Sequence, residues 1–203
     1  HHPTGNRFAF DAGVLDAFAE PKHTGWRDEY AYCSVSRDSS ILTVTLNRPE
    51  LGNALHPPAC IGLDEIFNSY EKDDALRVAI VTGAGPAHFC VGNDLKYMAS
   101  GKPMFFPTSG FGGLTSRPNR TKPIIAAVNG AAMGGGLEIA LACDLIVAAE
   151  HAEFALPEVR VGLFAGAGGI QRFTRQIGLK PAMEMLLTGQ PVSASRALTI
   201  GLV

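Results

Sequence analysis

Charge of one sign is what this 203-residue chain has least of: 17 basic and 19 acidic residues leave a formal net charge of −2. No whole-protein field is therefore available to gather nucleic acid or an anionic membrane. Cysteine is sparse as well. Cys33, Cys60, Cys90 and Cys143 stand far apart, with no C-x-x-C pair and no zinc-finger spacing to a histidine, which argues for reduced thiols in a cytosol-like compartment and against a metal site. No uninterrupted apolar run approaches the roughly 18 to 20 residues that span a bilayer. The first 30 residues mix Arg7, Lys22 and Arg27 with Asp11, Asp16 and Glu20, which suits neither a signal peptide nor an acid-poor transit peptide. Familiar nucleotide and hydrolase signatures are missing too. G-x-G-x-x-G fails at Gly83 because its last position is His88, and at Gly166 because that position is Gln171. Neither a P-loop nor a G-x-S-x-G elbow occurs.

What is present is an ordinary globular composition, 46% hydrophobic, long enough for one sizeable core. Residues 1–39 show weak periodicity and are read as an N-terminal arm with one short helix around Val14 to Ala19; residues 40–203 form the core domain. Strands are expected at Ile41 to Leu46, Val78 to Thr82, His88 to Val91, Ile124 to Val128, Leu145 to Ala149 and Phe154 to Leu156. Pro57 and Pro58 suit the opening of a helix whose Leu63, Ile66, Phe67 and Tyr70 fall on one face. A helical turn is expected within Gly92 to Ser100. Further helices are expected at Gly135 to Cys143, after the glycine loop Gly162 to Gly169 (bearing Ile170, Phe173 and Ile177), from Pro181 to Gly189, and after a Ser193 cap. Gly101 to Pro123, rich in glycine, proline and aromatics, reads as a loop or lid. Strand, strand, helix recurs without a fixed sequence period, which favours a single α/β domain. The chain stops directly after its last expected helix, as a partial chain would.

Chemistry concentrates in N-G-A-A-M-G-G-G-L-E-I-A-L-A-C-D, Asn129 to Asp144. Gly134, Gly135 and Gly136 stand between a strand and a helix, where missing side chains leave backbone N–H groups open and the helix dipole points its positive end outward. A tight turn with close packing accounts for the same glycines equally well. A second donor site is F-C-V-G-N-D-L-K, Phe89 to Lys96, where Gly92 and Asn93 follow a short strand; an ordinary turn capped by Asp94 is the plain alternative. Glu138 alone suits a helix-start acid. Glu158, in the aliphatic segment F-A-L-P-E-V-R-V-G-L, alone suits a turn. Two carboxylates in apolar surroundings beside two donor sites are another matter, because burial and like-charge coupling push their pKa values apart.

These segments carry a resemblance. N-R-P-E-x-x-N-A-L (Asn47 to Leu55), F-C-V-G-N-D-L-K, the Asn129 to Asp144 run with K-P-I-I-A-A-V ahead of it, and F-A-L-P-E-V-R-V-G-L-F-A-G-A-G-G resemble, in unbroken order from about residue 40, the enoyl-CoA hydratase/isomerase (crotonase) family. The resemblance implies an α/β fold, a spiral of β-β-α units forming two roughly perpendicular sheets flanked by helices. It also implies a C-terminal helical segment, absent from this chain, that drives assembly into a homotrimer or dimer of trimers. The implied substrate is an acyl-CoA thioester, with coenzyme A part of the substrate and no separate cofactor or metal. Its carbonyl oxygen would be held by the backbone N–H groups of Asn93 and Gly135. Glu138 as base and Glu158 as acid match the hydratase subgroup. Leu55, Val91, Gly92, Lys96, Tyr97, Met98 and Gly134 are the implied substrate-binding positions, with Arg48, Lys96 and Arg120 as candidates for the CoA phosphates.

Three departures stand out. Asn93 occupies a position where the family often has alanine, which puts a polar side chain near the cleft. Ala165 replaces a common proline, so a looser loop is expected. The Gly101 to Arg117 span replaces helical structure; its Phe105, Phe106 and Phe111 are expected to pack beneath a loop rather than line a tunnel. The leading expectation is reversible hydration of a 2-enoyl-CoA to a 3-hydroxyacyl-CoA. Isomerisation, or dehydration of a specialised acyl-CoA, is the alternative, and a non-catalytic CoA- or RNA-binding relative comes third. Neither nucleic acid nor a membrane is an expected partner. A cytoplasmic location is expected, with the mitochondrial matrix and the peroxisome left open.

Overall fold

A computed structural model describes residues 25–27 and 29–203. The helix expected around Val14 to Ala19 lies outside the described residues. Among the described residues, nine strands fall into two sheets. The first contains β1 (Cys33–Asp38), β2 (Ile41–Leu46), β3 (Val78–Gly83), β5 (Ile124–Val128) and β7 (Leu145–Ala148), in that spatial order. The second is ordered β4 (His88–Cys90), β6 (Ala131–Met133), β8 (Glu153–Ala155) and β9 (Val192–Ser193). Pairing is parallel except between β1 and β2 and between β8 and β9. Helices flank the sheets: α1 (Pro57–Lys72), α2 (Leu95–Ala99), α3 (Gly135–Ala142), α4 (Gly169–Ile177), α5 (Leu179–Thr188) and α6 (Ala194–Thr199).

The order explains the recurring pattern in the sequence. β3–β4–α2 and β5–β6–α3 are two turns of one spiral, and β7–β8 opens a third; in each, the first strand joins the first sheet and the next joins the second. Strand alternation orients the first sheet: Leu42, Val44 and Leu46 of β2, Ala79 and Val81 of β3, and Ile124, Ala126 and Val128 of β5 are all buried, while their neighbours are not. On α1 the predicted stripe of Leu63, Ile66, Phe67 and Tyr70 is at most 2% exposed, and the Tyr70 hydroxyl donates to the Pro123 carbonyl at 2.8 Å.

Several elements differ from expectation. β1 lies in the span read as the arm. Only Cys33 of its six residues is buried, so an edge strand held by backbone pairing left no alternation to detect. β6 and β9 are two or three residues long, too short for periodicity to show. Helix α5 begins at Leu179, so Pro181 sits inside its first turn, where a missing N–H costs nothing. Ile170 is 38% exposed, leaving Phe173 and Ile177 as the buried anchors of α4. Ser193 caps α6 as expected, its Oγ accepting from the Arg196 N–H.

The span from Gly101 to Pro123 is only partly a loose loop. Its second half is fastened to α1 by a buried charge network: Arg117 reaches Asp64 Oδ1 at 2.6 Å, Asn68 Oδ1 at 2.7 Å and the Gly113 carbonyl at 2.8 Å, and the Ser109 hydroxyl donates to the same Asp64. Gly110, Gly112 and Gly113 all have positive φ, and a Cβ on Gly113 would stand 2.6 Å from the Asp64 backbone nitrogen, so the loop lies directly on the helix. Arg117→Ala strands the Asp64 carboxylate, which is 8% exposed, without its cation. Urea unfolding is expected to show a loss of about 3 to 5 kcal/mol, against the 0 to 1 kcal/mol of a surface pair.

Candidate active site

The spiral brings two element junctions into contact. At the first, β6 ends and α3 begins through Gly134 (φ 53°, ψ −126°). The Gly134 N–H is bonded to the Ala155 carbonyl at 2.9 Å, whereas the Gly135 N–H, at the first helical position, has no partner among the described residues. Side chains are excluded there by contact: a Cβ on Gly135 would lie 2.6 Å from the Phe111 ring, and one on Gly136 would lie 1.9 Å from the Cys90 carbonyl oxygen. Close packing and an open donor are thus both properties of this turn.

At the second junction, β4 has ended and α2 has not begun. Asn93 forms an isolated parallel bridge with Leu55, made by Leu55 N–H to the Gly92 carbonyl and by Asp94 N–H to the Leu55 carbonyl, both 2.8 Å. In a planar trans peptide the C=O and N–H point opposite ways. Because the Gly92 carbonyl points at Leu55, the Asn93 N–H points away from it and has no partner among the described residues. Gly92 (φ 91°) abuts the other junction, since a Cβ there would sit 2.9 Å from the Gly135 nitrogen.

Two glutamates share a cavity with these donors. Glu138, in the first turn of α3, is 4% exposed, and its Oε1 accepts the Gly169 N–H at 2.8 Å. Burial is the largest influence on it and pushes its pKa up to about 7; the charge of Glu158 raises it further, while the N–H groups of Gly169 and Ala167 oppose the rise. Glu158 stands in the 3-10 turn Pro157–Val161 that follows β8, and its Oε1 would be 3.0 Å from a Cβ on Gly134. Burial raises its pKa too, and its Oε2 is buried without a partner. Because Glu158's charge acts on Glu138, the two carboxyls titrate as one coupled pair.

Both glutamates line one cavity of about 640 Å³, within the range of small-molecule sites. Asn93, Gly134, Gly135, Val91 and Met98 share its wall. Leu55 and Gly92 are not part of the wall and contribute the backbone bridge. Lys96 and Tyr97 lie outside the wall, Lys96 exposed and Tyr97 packed edge-on against His56 at 5.1 Å. Of the three basic candidates for phosphate contacts, Arg48 is paired with Asp94 at 2.9 Å and Arg120 with Asp144 at 2.6 Å, while Lys96 has no ion-pair partner among the described residues.

Two expectations are corrected here. Phe106 and Phe111 line the cavity, packed edge-to-face at 5.5 Å; Phe111, 5% exposed, lies in the segment that the Asp64–Arg117 network fastens to α1, while Phe106 is 39% exposed at the rim. The Ala165 loop is tied rather than loose: Ala165 is 3% exposed, the Gly169 N–H is bound to Glu138, and Arg172 spans the carbonyls of Ala167 and Thr115. The sequence reading also missed Leu95, Leu163 and Phe164 as wall residues; their one signal was apolar character in glycine-bounded segments, which is common to many loops. Among the described residues no cluster of three or more His, Cys, Asp or Glu can hold a metal, and no helix is long and apolar enough to cross a membrane.

Comparison with known proteins places this geometry in context. Residues 36–203 match the model of the enoyl-CoA hydratase/isomerase family. A carnitinyl-CoA dehydratase of Escherichia coli is 44% identical over 171 residues, 83% of this chain and 65% of that protein. An (E)-benzylidenesuccinyl-CoA hydratase of Thauera aromatica is 48% identical over 172 residues, 79% of this chain and 63% of that protein. The chain thus spans a little under two thirds of the length of these curated relatives. Among solved structures, a carnitinyl-CoA dehydratase from Mycobacterium avium superposes with a TM-score of 0.81 at 43% identity, covering 85% of this chain and 68% of that one. An enoyl-CoA hydratase from Mycobacterium tuberculosis gives a TM-score of 0.80 at 44% identity, covering 85% and 67%.

The raised pKa of Glu138 makes stability depend on pH. The folded protein holds this proton more tightly than the unfolded chain, so the stabilisation is complete below the ordinary value of 4.5 and is lost as pH climbs through about 7. Glu138→Gln keeps an acceptor for the Gly169 N–H and removes the buried charge. Above pH 7 the variant is expected to be more stable than the parent by up to about 3 kcal/mol. Denaturant titrations at pH 4 and pH 8 test this; an equal difference at both contradicts it.

Proposed function

Since this chain belongs to the enoyl-CoA hydratase/isomerase family, we propose that it is a hydro-lyase that interconverts a 2-enoyl-CoA and the corresponding 3-hydroxyacyl-CoA. The observation that carries this reading is the pair of burial-raised carboxyls, Glu138 and Glu158, in one cavity with two unpaired backbone N–H groups.

In hydration, a water oxygen bonds to the β-carbon while Glu138 takes the water's proton. The π electrons of the double bond move onto the α-carbon and thioester, and the developing oxyanion is held by the N–H groups of Asn93 and Gly135. Donors of this kind contribute about 3 to 4 kcal/mol each. Glu158 then delivers its proton to the α-carbon, and the carbonyl re-forms. Water has been added, and the pair still holds one proton, now on Glu138. That protonation state is the end point of hydration. It is also the state from which the reverse reaction starts, with Glu138 protonating the departing hydroxyl and Glu158 removing the α-proton.

Dehydration of a specialised 3-hydroxyacyl-CoA is therefore the second reading. The two relatives named as carnitinyl-CoA dehydratases favour it. Phe106, Phe111, Leu95, Leu163 and Phe164 give the acyl portion of the cavity an apolar wall. Assembly into a homotrimer or dimer of trimers belongs to the same proposal, supported by the exposure of Leu145 and Val147 on β7, both 61%.

A spectrophotometric screen of enoyl-CoA thioesters of graded length, following loss of the conjugated chromophore, tests the reaction. Glu138→Gln and Glu158→Gln are each expected to lower kcat by about 10²- to 10⁴-fold while CoA-ester binding persists; normal turnover by either variant contradicts the assignment. Because the active pair holds a single proton, kcat/KM should be bell-shaped in both directions, with its alkaline limb at about 7. A profile flat from pH 6 to 8 sinks the acid–base reading.

A further inference from the structure

The Asn93 loop is joined to the turn before α1 by the Leu55–Asn93 bridge and by the Val91 N–H to the Gly52 carbonyl at 3.0 Å, and one side chain outside the cavity reinforces both sides of that bridge. Arg48 lies in the N-R-P turn after β2. Its Nη1 donates to the Ala54 carbonyl at 2.7 Å and its Nη2 to Asp94 Oδ2 at 2.9 Å. Ala54 precedes Leu55, and Asp94 follows Asn93, so one planar guanidinium spans the two chain segments beside the Leu55–Asn93 bridge. The other Asp94 oxygen, Oδ1, accepts the Tyr97 N–H at 3.0 Å and caps α2. Arg48 is itself anchored, its backbone N–H donating to Oδ1 of the fully buried Asn53. Side-chain exposures of 13% for Arg48 and 9% for Asp94 mean that this pair works at reduced dielectric.

The connectivity forms a directed chain. The Ala54 carbonyl that accepts from Arg48 shares a peptide group with the Leu55 N–H. That N–H donates to the Gly92 carbonyl, which shares a peptide group with the Asn93 N–H. Trans geometry places donor and acceptor at opposite ends of each group, so the order runs guanidinium, peptide 54–55, peptide 92–93, open N–H. A cation at the head of such a chain orients each peptide plane, and polarisation strengthens each successive donor by roughly 10 to 30%. Both terminal nitrogens of Arg48 are directed inward, at Ala54 and Asp94, rather than at the phosphates for which the sequence made it a candidate.

We propose that Arg48 is a positioning residue for the reaction, aiming and polarising the Asn93 N–H through two peptide groups, with Asp94 locking the guanidinium. This rests on the reading of that N–H as a donor to the thioester oxygen.

The test uses a 3-aryl-2-enoyl-CoA, whose absorbance moves to longer wavelength when its carbonyl is polarised, together with steady-state kinetics on a good substrate. Arg48→Met is expected to lose most of the bound-state red shift and about 10- to 100-fold in kcat, with KM changing far less. Arg48→Lys, which keeps a cation able to reach one of the two acceptors, is expected to recover part of both. If Arg48→Met does not fold, Arg48→Gln, a neutral donor of shorter reach, carries the same expectation. A variant that keeps the full red shift and kcat overturns the inference, as does one that raises KM with kcat intact, the result expected of a phosphate contact. Absence of any red shift in the unsubstituted protein overturns the donor reading instead, which keeps the two failures apart.

Discussion

At the junctions that close the cavity, the main-chain N–H groups of Asn93 and Gly135 have no partner among the described residues, and the architecture around them keeps them so. Backbone donors near a core are nearly always paired. Asn93 and Gly135 escape pairing because each lies at a junction, one past the end of β4 and the other at the first position of α3. The spiral supplies such a junction each time a strand of the second sheet passes into a helix, and parallel pairing of β4 with β6 sets two of them side by side. Gly92, Gly135 and Gly136 then permit an approach that any side chain would block.

The same packing governs the electrostatics. Placing Glu138 in the first turn of α3 buries it beneath the α4 junction, where desolvation outweighs the two N–H groups that favour its charge. Glu158 reaches the cavity because Pro157 opens a 3-10 turn directly after β8. A carboxyl at the surface has no such pressure on its proton. The apolar wall of the cavity is built differently, by anchoring an otherwise irregular loop that carries Phe111 to α1 through Asp64 and Arg117.

Much of this was legible in the sequence, for identifiable reasons. Strands β2, β3 and β5 alternate cleanly and pack one face on the core, so their pattern is strong. The α1 stripe was equally clear. By contrast β1, an edge strand with five of six residues not buried, is held by backbone bonds that leave no mark on side-chain pattern. The buried placement of Phe111 was unreadable for a related reason: its segment is tied to α1 by Arg117 and Asp64, whose pairing spans 53 positions.

By itself the sequence determined which groups are available: two glutamates at strand-to-helix turns, glycines where backbone must approach backbone, and an arginine in the turn after β2. Only the tertiary structure decided which N–H groups stay open, how far burial moves the carboxyl protons, and that Arg48 turns inward to Asp94 instead of outward to solvent. Hydrogen-bond saturation and desolvation are sums over spatial neighbours. Glu138 meets Gly169 across 31 positions and Arg48 meets Asp94 across 46, and local sequence pattern does not encode such sums.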